Sequence, residues 1–180
     1  LEQPLKGSHP EGTDASSLEH VLESAETISD DRGLFLETSY RLHPDICRFT
    51  SELFYESRLD SRPENIKQTL EGPDPFAGSG LRYIPVVHEG NQNQSNEEAE
   101  AIATIFATLT KGEYSYTDNK GQSRLLKPED VLIVAPYNLQ VYKLRKRIPK
   151  ATVGTVDKFQ GQEAPVVIYS LTSSSQYDAS

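Results

Sequence analysis

Three short segments of the chain carry residue types that could contact phosphate or a nucleobase. Residues 40–44 read YRLHP, residues 135–138 read APYN, and residues 154–163 read GTVDKFQGQE. An arginine is a planar, permanently charged donor that can stabilise charge on phosphoryl oxygens. A threonine hydroxyl and backbone amides can contact a phosphate, and a tyrosine ring can stack on a base. The residue types therefore suit a ligand that carries phosphate.

Strands and helices alternate around these segments. Residues 131–135 are a continuous apolar run rich in β-branched residues, which is typical of a parallel strand covered on both faces. Residues 152–155 and 165–171 are predicted strands as well. Because strands alternate with helices of suitable length, the sequence predicts an α/β fold with an open parallel sheet. Ligands of such sheets collect at the carboxyl ends of the strands, where two of the three segments lie.

Two helices have clear amino-terminal signals. Ser95 to Glu98 form a capping box, and the apolar residues that follow recur at helical spacing. Pro44 and Asp45 suit the first turn of a second helix, with His43 as its N-cap. Its predicted buried stripe is Ile46, Phe49, Leu53 and Phe54.

The remaining segments have weaker signals. Residues 34–38 are a candidate strand, and residues 81–87 are an apolar strand interrupted by a proline, which predicts a sheet edge. Residues 60–80 are predicted to be irregular, and residues 112–127 to form a protruding loop or hairpin. Residues 1–30 are predicted to be a linker from a preceding domain, and residues 31–180 to be one domain.

The charge of the chain is acidic overall and basic in one place. The net charge is −9, yet six of the 18 basic residues fall between positions 143 and 158. Residues 143–150 are predicted to form a basic helix, which could neutralise phosphates or could simply be a solvated face. A single cysteine excludes an internal disulfide and a thiolate metal cage. No apolar run is long enough for a bilayer and no leader opens the chain, so we expect no membrane partner and a cytoplasmic location.

The three segments, in this order and at this spacing, resemble motifs IV to V of superfamily 1 helicases. The similarity is to the second RecA-like domain, called 2A, in the branch that includes the nonsense-decay and Dna-two-like helicases. Residues 41–47 and 54–56 are similar to bacterial proteins that fuse such a helicase to a RecB-like nuclease. The resemblance covers residues 34–59 and 130–172. It implies a RecA-like, P-loop NTPase-type open parallel sheet with helices on both faces.

The resemblance implies a role for four residues at a nucleotide. Arg41 would be the catalytic arginine that reaches across a cleft to the γ-phosphate of ATP, and Tyr40 would stack on the adenine. Glu163 would accept a hydrogen bond from a ribose hydroxyl, and Gly161 would let the backbone approach the nucleotide. The alternatives are a surface ion pair for Arg41, a half-buried core position for Tyr40 and a solvated position for Glu163.

The resemblance also implies a track for single-stranded DNA or RNA. Its expected residues are Pro136, Tyr137, Asn138, Thr155 and Val156. The glutamines Gln160 and Gln162 could both bridge nucleotide and nucleic acid, and the sequence leaves open which of them does so; we assign Gln160 to the nucleotide. The alternative for Tyr137 is a packing role, because a tyrosine that follows a strand is often part of the core.

Two elements of a complete motor are missing from the sequence. It contains no G-x-x-x-x-G-K-[ST] loop to cradle phosphates and no apolar run ending in Asp-Glu to hold magnesium. ATP and Mg²⁺ are therefore expected only in the full protein, with a preceding domain 1A, and the chain alone is expected to bind neither of them, to hold no metal and to be inactive. The last motif of the family, a further arginine, is expected beyond Ser180.

A function from another class is a non-catalytic, degenerate RecA-like module that binds a protein partner. The acidic composition and the long segments at 60–80 and 112–127 suit that interpretation. A nuclease has no support within the chain, because no Asp/Glu/Lys set is clustered on paired strands.

Overall fold

The computed structural model describes residues 21–22, 25–175 and 177–179. The chain divides into two compact units, Leu1–Ile66 and Lys67–Ser180. Most of the linker predicted for residues 1–30 lies outside the described residues, so its boundary stays a prediction. Within the described part of the chain, no helix combines the length and the apolar character that crossing a bilayer requires.

The unit of residues 1–66 contains a short parallel strand pair connected by a helix. Strand β1 (Thr38–Ser39) pairs with β2 (Asp60–Ser61), and α1 (Pro44–Phe54) lies between them in the chain. The helix begins where the sequence predicts, because His43 Nδ1 accepts a hydrogen bond from the backbone N–H of Asp45 at 3.2 Å. A 3₁₀ helix, Pro63–Lys67, follows β2.

The predicted buried stripe of α1 is wrong. Phe49, Leu53 and Phe54 are 49%, 50% and 60% exposed, and Ile46 is half-buried. The buried residues of the helix are instead Cys47 and Ser51. These small side chains hold the segment before β2 by hydrogen bonds, since Ser51 Oγ accepts from Leu59 N at 2.9 Å. Polar contact rather than an apolar period therefore decides which face of α1 is covered.

The strand predicted for residues 34–38 is also wrong in its extent. Only Thr38 of that range belongs to β1, and Leu34 and Leu36 are 84% and 76% exposed. The parallel ladder with β2 is two residues long, so the residues before Thr38 have no ladder partner in it. A run of strand-forming residues without a paired strand does not form a strand.

The unit of residues 67–180 is built on a three-stranded parallel sheet in the order β7–β6–β8. Its strands are β6 (Val131–Val134), β7 (Thr152–Gly154) and β8 (Val166–Tyr169). Helix α2 (Asn96–Thr110) precedes the sheet, α3 (Asn138–Arg147) connects β6 to β7, and α4 (Val156–Phe159) connects β7 to β8. The predictions of the three parallel strands and of the capped helix are confirmed.

Both faces of the central strand β6 are covered, as predicted. Val131, Ile133 and Ala135 point to one side, where they join the main core with residues of α2 and α3. Leu132 and Val134 point to the other side and pack with Phe159 of α4. The helical residues of the main core are Ala99, Ile102, Phe106, Leu109, Val141 and Leu144.

A second, antiparallel sheet contains β3 (Thr69–Glu71), β4 (Ser115–Thr117) and β5 (Ser123–Leu125). The hairpin β4–β5 confirms one of the two forms predicted for residues 112–127. Because β3 pairs with β4, and β2 and a 3₁₀ helix precede it, the prediction that residues 60–80 are irregular is wrong. The pairing partner of β3 lies more than 40 residues away in the chain, so no local signal announces it.

The strand predicted for residues 81–87 does not form. This segment has no assigned secondary structure, and Tyr83 and Val87 are 81% and 95% exposed. Pro85 has no N–H to donate to a neighbouring strand, which weakens any pairing at this point.

Candidate nucleotide and nucleic-acid site

The loops that follow β6 and β7 lie side by side at the carboxyl edge of the parallel sheet. β6 and β7 are neighbours, and just beyond their ladder Ala135 N donates to Gly154 O at 3.1 Å. The five residues predicted for a nucleic-acid track follow this contact directly: Pro136, Tyr137, Asn138, Thr155 and Val156. The structure therefore brings the five residues to one edge of one sheet.

The side chains of these two loops present polar and aromatic groups at the surface. Pro136, Asn138 and Val156 are exposed, and Tyr137 and Thr155 are half-buried. Thr155 is the N-cap residue of α4, yet its hydroxyl makes no capping bond to that helix. The Tyr137 hydroxyl lies 3.5 Å from Ser173 Oγ, so the ring is oriented by the segment after β8. The tyrosine is thus neither a core residue nor fully solvated.

The residues predicted to contact a nucleotide from this unit follow α4. Gly161 has φ of +83°, a conformation that favours glycine, and no heavy atom lies within 4 Å of where a Cβ would stand. Gln160 and Gln162 are both exposed, and the side chain of Gln162 donates to Lys158 O at 3.1 Å. That bond engages the Gln162 amide within the protein, which agrees with assigning Gln160 to an external ligand. Both the backbone conformation and the open space at Gly161 suit a close approach by another molecule.

Glu163 is exposed and lies within electrostatic reach of the second sheet. Burial is the main cause that raises the pKa of Tyr116 in β4, and the negative charges of Asp118 and Glu163 add to it. The Arg124 guanidinium lies 5.7 Å from the Tyr116 ring centroid. The negative charge of Glu163 therefore lies within electrostatic reach of Tyr116, a neighbour that the sequence did not predict.

Tyr40 and Arg41 belong to the other unit, residues 1–66, where they connect β1 to α1. Tyr40 is 64% exposed, so its half-buried alternative is wrong. The Arg62 guanidinium carbon lies 4.9 Å from the Tyr40 ring centroid, which covers one side of the ring by a cation–π contact. Arg41 is exposed.

Asn65 is a residue at this turn that the sequence reasoning missed. Its side chain is fully buried, and Nδ2 donates to Leu42 O at 3.1 Å and to Ser39 O at 3.4 Å. These two carbonyls flank Tyr40 and Arg41. The available signal was Pro63 followed by polar residues, which suits the first turn of a short helix, within a range we expected to be irregular.

A buried glutamine fixes the beginning of α3, directly after the loop of residues 136–138. Gln140 has no exposed surface. Its Oε1 accepts from Ser95 N at 2.8 Å, and its Nε2 donates to Ser95 O at 3.2 Å and to Ser170 Oγ at 3.0 Å. It thereby ties α2, α3 and the end of β8 together. Its position four residues before the buried Leu144 was the sequence signal that it faces inward.

A buried carboxylate extends this network to the segment after β8. Glu98 accepts hydrogen bonds from the Ser170 hydroxyl and from Thr172 N, and its Oε1 lies 3.1 Å from His88 Nε2. Glu98 stands in the first turn of α2, where the helix dipole favours a negative charge. Among the described residues, every fully buried side-chain nitrogen or oxygen has a partner. The edge that carries residues 136–138 is therefore built on a satisfied polar network.

The basic residues of α3 and its surroundings are largely engaged with the protein itself. Arg145 donates to Val153 O at 2.9 and 3.2 Å, and Lys158 donates to the same carbonyl at 3.2 Å. Arg147 forms two bonds to Glu100, at 2.7 and 2.8 Å, which lower the pKa of that carboxyl. Arg145 and Lys158 thus stabilise β7, and Arg147 stabilises the contact between α2 and α3.

Metal ligands are not assembled in the part of the chain that the structure describes. Residues 21–22, 25–175 and 177–179 contain no group of three or more His, Cys, Asp or Glu side chains that could hold a metal ion. Cys47 is buried, and burial raises the pKa of its thiol.

The parallel sheet, the helices on both of its faces and the loops at its carboxyl edge define a RecA-like domain of the P-loop NTPase type. A protein-family model described as an AAA domain matches residues 13–179. The chain belongs to the AAA domain family, and its sequence is similar to that of helicases.

Three relatives illustrate this similarity. "Probable helicase MAGATAMA 3" of Arabidopsis thaliana is 29% identical over 153 residues, covering 75% of this chain and 18% of the relative. "DNA polymerase alpha-associated DNA helicase A" of Schizosaccharomyces pombe is 28% identical over 152 residues, covering 78% of this chain and 23% of the relative. "Helicase sen1" of the same yeast is 29% identical over 157 residues, covering 77% of this chain and 9% of the relative. The chain thus spans less than a quarter of each relative.

Proposed function

We propose that this chain is the second motor domain, 2A, of an ATP-dependent nucleic-acid helicase. The observation that carries the proposal is the placement of residues 136–138 and 155–156 on neighbouring strand ends, joined by the bond from Ala135 N to Gly154 O at 3.1 Å. Adjacent strand ends offer backbone amides, a hydroxyl and an aromatic ring to one strand of nucleic acid. Such contacts hold the sugar–phosphate backbone without reading its sequence.

In this proposal the nucleotide is held between domain 2A and a preceding domain 1A, which supplies the phosphate cradle and the magnesium ligands. Tyr40 would stack on the adenine through the ring face that Arg62 leaves uncovered, and Gln160, Gly161 and Glu163 would contact the nucleotide. Arg41 would stabilise charge on the γ-phosphate during transfer to water. The opening and closing of the cleft would then move the strand along the loops.

The parent protein is proposed to belong to the type that also carries a RecB-like nuclease. Support comes from residues 41–47 and 54–56, whose sequence is similar to that type. The sequence of the whole gene product tests this directly, because a RecB-like nuclease domain is either encoded in it or not. The same sequence tests the motor: a P-loop and an Asp-Glu-containing strand upstream would support it, and their absence would favour a non-catalytic interaction module instead.

The main test is the turnover of Arg41→Ala in the full-length protein. We expect a loss of ATP hydrolysis of about 10³-fold or more, because an arginine in this role contributes that much to phosphoryl transfer. Binding of a single-stranded oligonucleotide, measured by fluorescence anisotropy, should stay within about twofold of the wild type, because Arg41 does not lie on the track. A matched exposed arginine, Arg82→Ala, serves as the control. An unchanged turnover number would refute the role of Arg41.

The isolated chain is proposed not to hydrolyse ATP, since its sequence contains no phosphate cradle. Phosphate release from the purified chain should therefore stay at the level of buffer with Mg²⁺ and ATP. Magnesium-dependent release that Arg41→Ala abolishes would contradict this proposal.

A further inference from the structure

We propose that Asn65 is a positioning residue for Arg41, holding the turn that presents this arginine. The inference rests on the proposed function of Arg41 and deepens it. Asn65 lies in the 3₁₀ helix Pro63–Lys67, more than 20 residues after the turn that it contacts. It has no exposed surface, so it does not contact a ligand directly and acts on the site through the turn.

The hydrogen bonds of Asn65 lie on both sides of Tyr40 and Arg41. Nδ2 donates to Ser39 O, the residue before this pair, at 3.4 Å, and to Leu42 O, the residue after it, at 3.1 Å. The same nitrogen lies 3.2 Å from Ser61 Oγ. One buried amide group therefore sets the distance between the two ends of the turn.

Two further bonds complete this fastening. The Ser61 hydroxyl donates to Leu42 O at 2.6 Å, and Leu42 N donates to Ser39 Oγ at 3.3 Å. Leu42 O thus has two side-chain donors, from Asn65 and Ser61. Both donors follow or belong to β2, the strand that pairs with β1 immediately before the turn. The backbone of the turn is consequently held by residues in and after β2, and none of these bonds uses the side chain of Arg41.

This anchoring matters for chemistry because Arg41 is exposed and its side chain is long. A catalytic group must stand within a fraction of an ångström of its working position, and a displacement of about 1 Å can cost about 10²-fold in rate. Without Asn65, the carbonyls of Ser39 and Leu42 lose their shared donor and keep one bond each, from Arg62 N at 3.0 Å and from the Ser61 hydroxyl at 2.6 Å. The two ends of the turn are then no longer joined by one side chain. We therefore expect Asn65 to affect turnover more than substrate binding.

The test uses Asn65→Asp in the full-length protein, because aspartate keeps the volume of asparagine and has no donor when ionised and one when protonated, against the two N–H donors of the amide. Nucleic-acid-stimulated ATP hydrolysis is measured for the wild type, Asn65→Asp, Arg41→Ala and the double variant. Ser61→Ala removes the other side-chain donor to Leu42 O and serves as a second, smaller perturbation of the same turn. Asn93→Asp, a half-exposed asparagine in the unit of residues 67–180, is the matched control.

We expect kcat of Asn65→Asp to fall by about 10- to 100-fold with KM for ATP within about threefold. Ser61→Ala should lose about three- to tenfold, as expected for one hydrogen bond. The double variant should be no slower than Arg41→Ala alone, because a positioning residue has no effect once its group is gone. Asn93→Asp should match the wild type.

Two outcomes would overturn the inference. One is wild-type turnover in both Asn65→Asp and Ser61→Ala. The other is a double variant whose loss is the product of the single losses, which would mean that Asn65 acts on stability alone. If Arg41→Ala itself keeps wild-type turnover, the proposed function fails instead, and the two failures are thereby distinguished.

Discussion

Replacement of Gln140 by leucine tests whether the polar network supports the edge of the sheet. The side chain is fully buried and its three hydrogen bonds reach Ser95 N, Ser95 O and Ser170 Oγ at 2.8, 3.2 and 3.0 Å. Leucine has a similar size and no polar atom. The substitution therefore removes the bonds while leaving the volume nearly filled.

The expected cost follows from what each partner retains. Ser95 O still accepts from Ala99 N at 3.4 Å, and Ser170 still donates to Glu98, so these two groups lose about 0.5–1 kcal/mol each. For Ser95 N, Gln140 Oε1 is the partner in the described structure, and a buried donor left unpaired costs about 1–3 kcal/mol. We expect a decrease of about 3 kcal/mol in the free energy of unfolding.

Urea denaturation followed by circular dichroism measures this decrease, and hydrogen exchange localises it. Protection of the peptide containing Ser95 should fall by about 100-fold, the factor that corresponds to about 3 kcal/mol. The control is Gln122→Leu, at an exposed position of the β4–β5 hairpin, which should change stability by less than about 0.5 kcal/mol. A loss below about 1 kcal/mol at Gln140, or one equal to the control, would refute the reasoning.

Two further predictions concern a charge pair and a glycine. Arg124 donates to both carboxylate oxygens of Asp130 at 2.6 and 2.7 Å and thereby lowers the pKa of Asp130. Asp130→Asn should cost about 2 kcal/mol at pH 7. Because the folded-state pKa of Asp130 is lowered, its contribution is complete above the unfolded pKa of about 4 and is lost as the pH falls through the folded-state pKa. The difference in urea denaturation between Asp130→Asn and the wild type should therefore shrink as the pH is lowered from about 4, and a difference that grows there would contradict the prediction. Gly161→Ala and Gly112→Ala, at φ of +83° and +98° with open space around both, should each cost about 1 kcal/mol. Only Gly161→Ala should weaken ATP binding by the full-length protein in equilibrium titration, and an equal effect of both would sink the assignment.

The elements that sequence reasoning predicted are those whose signals are local. The run at 131–135 is buried on both faces because it is the central strand, and Ser95 caps α2 with its hydroxyl accepting from Glu98 N at 3.0 Å. Caps and apolar runs involve residues that are neighbours in the chain, so they can be recognised without knowledge of the tertiary structure. The loops after β6 and β7 could be placed together for the same reason, since parallel strands end at one edge.

The elements that sequence reasoning missed depend on distant partners. β3 needs β4, and the covered face of α1 is set by Leu59, which bonds to Ser51. Asn65 and Gln140 are buried polar residues whose partners are mostly backbone groups 23 to 45 residues away. Helical spacing indicates only that Gln140 faces inward, and no motif marks the partners of either residue, because a backbone partner is a peptide group that every residue has.

The distribution of positive charge indicates how this domain would hold a nucleic acid. Arg145 and Lys158 both donate to Val153 O, which belongs to the strand that ends just before Thr155, so they stabilise the edge from behind. The loops themselves present amides, a hydroxyl and a tyrosine ring, and the whole chain has a net charge of −9. These two cations are therefore engaged with the protein at this edge, and an acidic net charge does not attract phosphates at long range. A track of this kind depends on hydrogen bonds whose geometry the sheet fixes, and long-range attraction of the strand has to come from other parts of the protein.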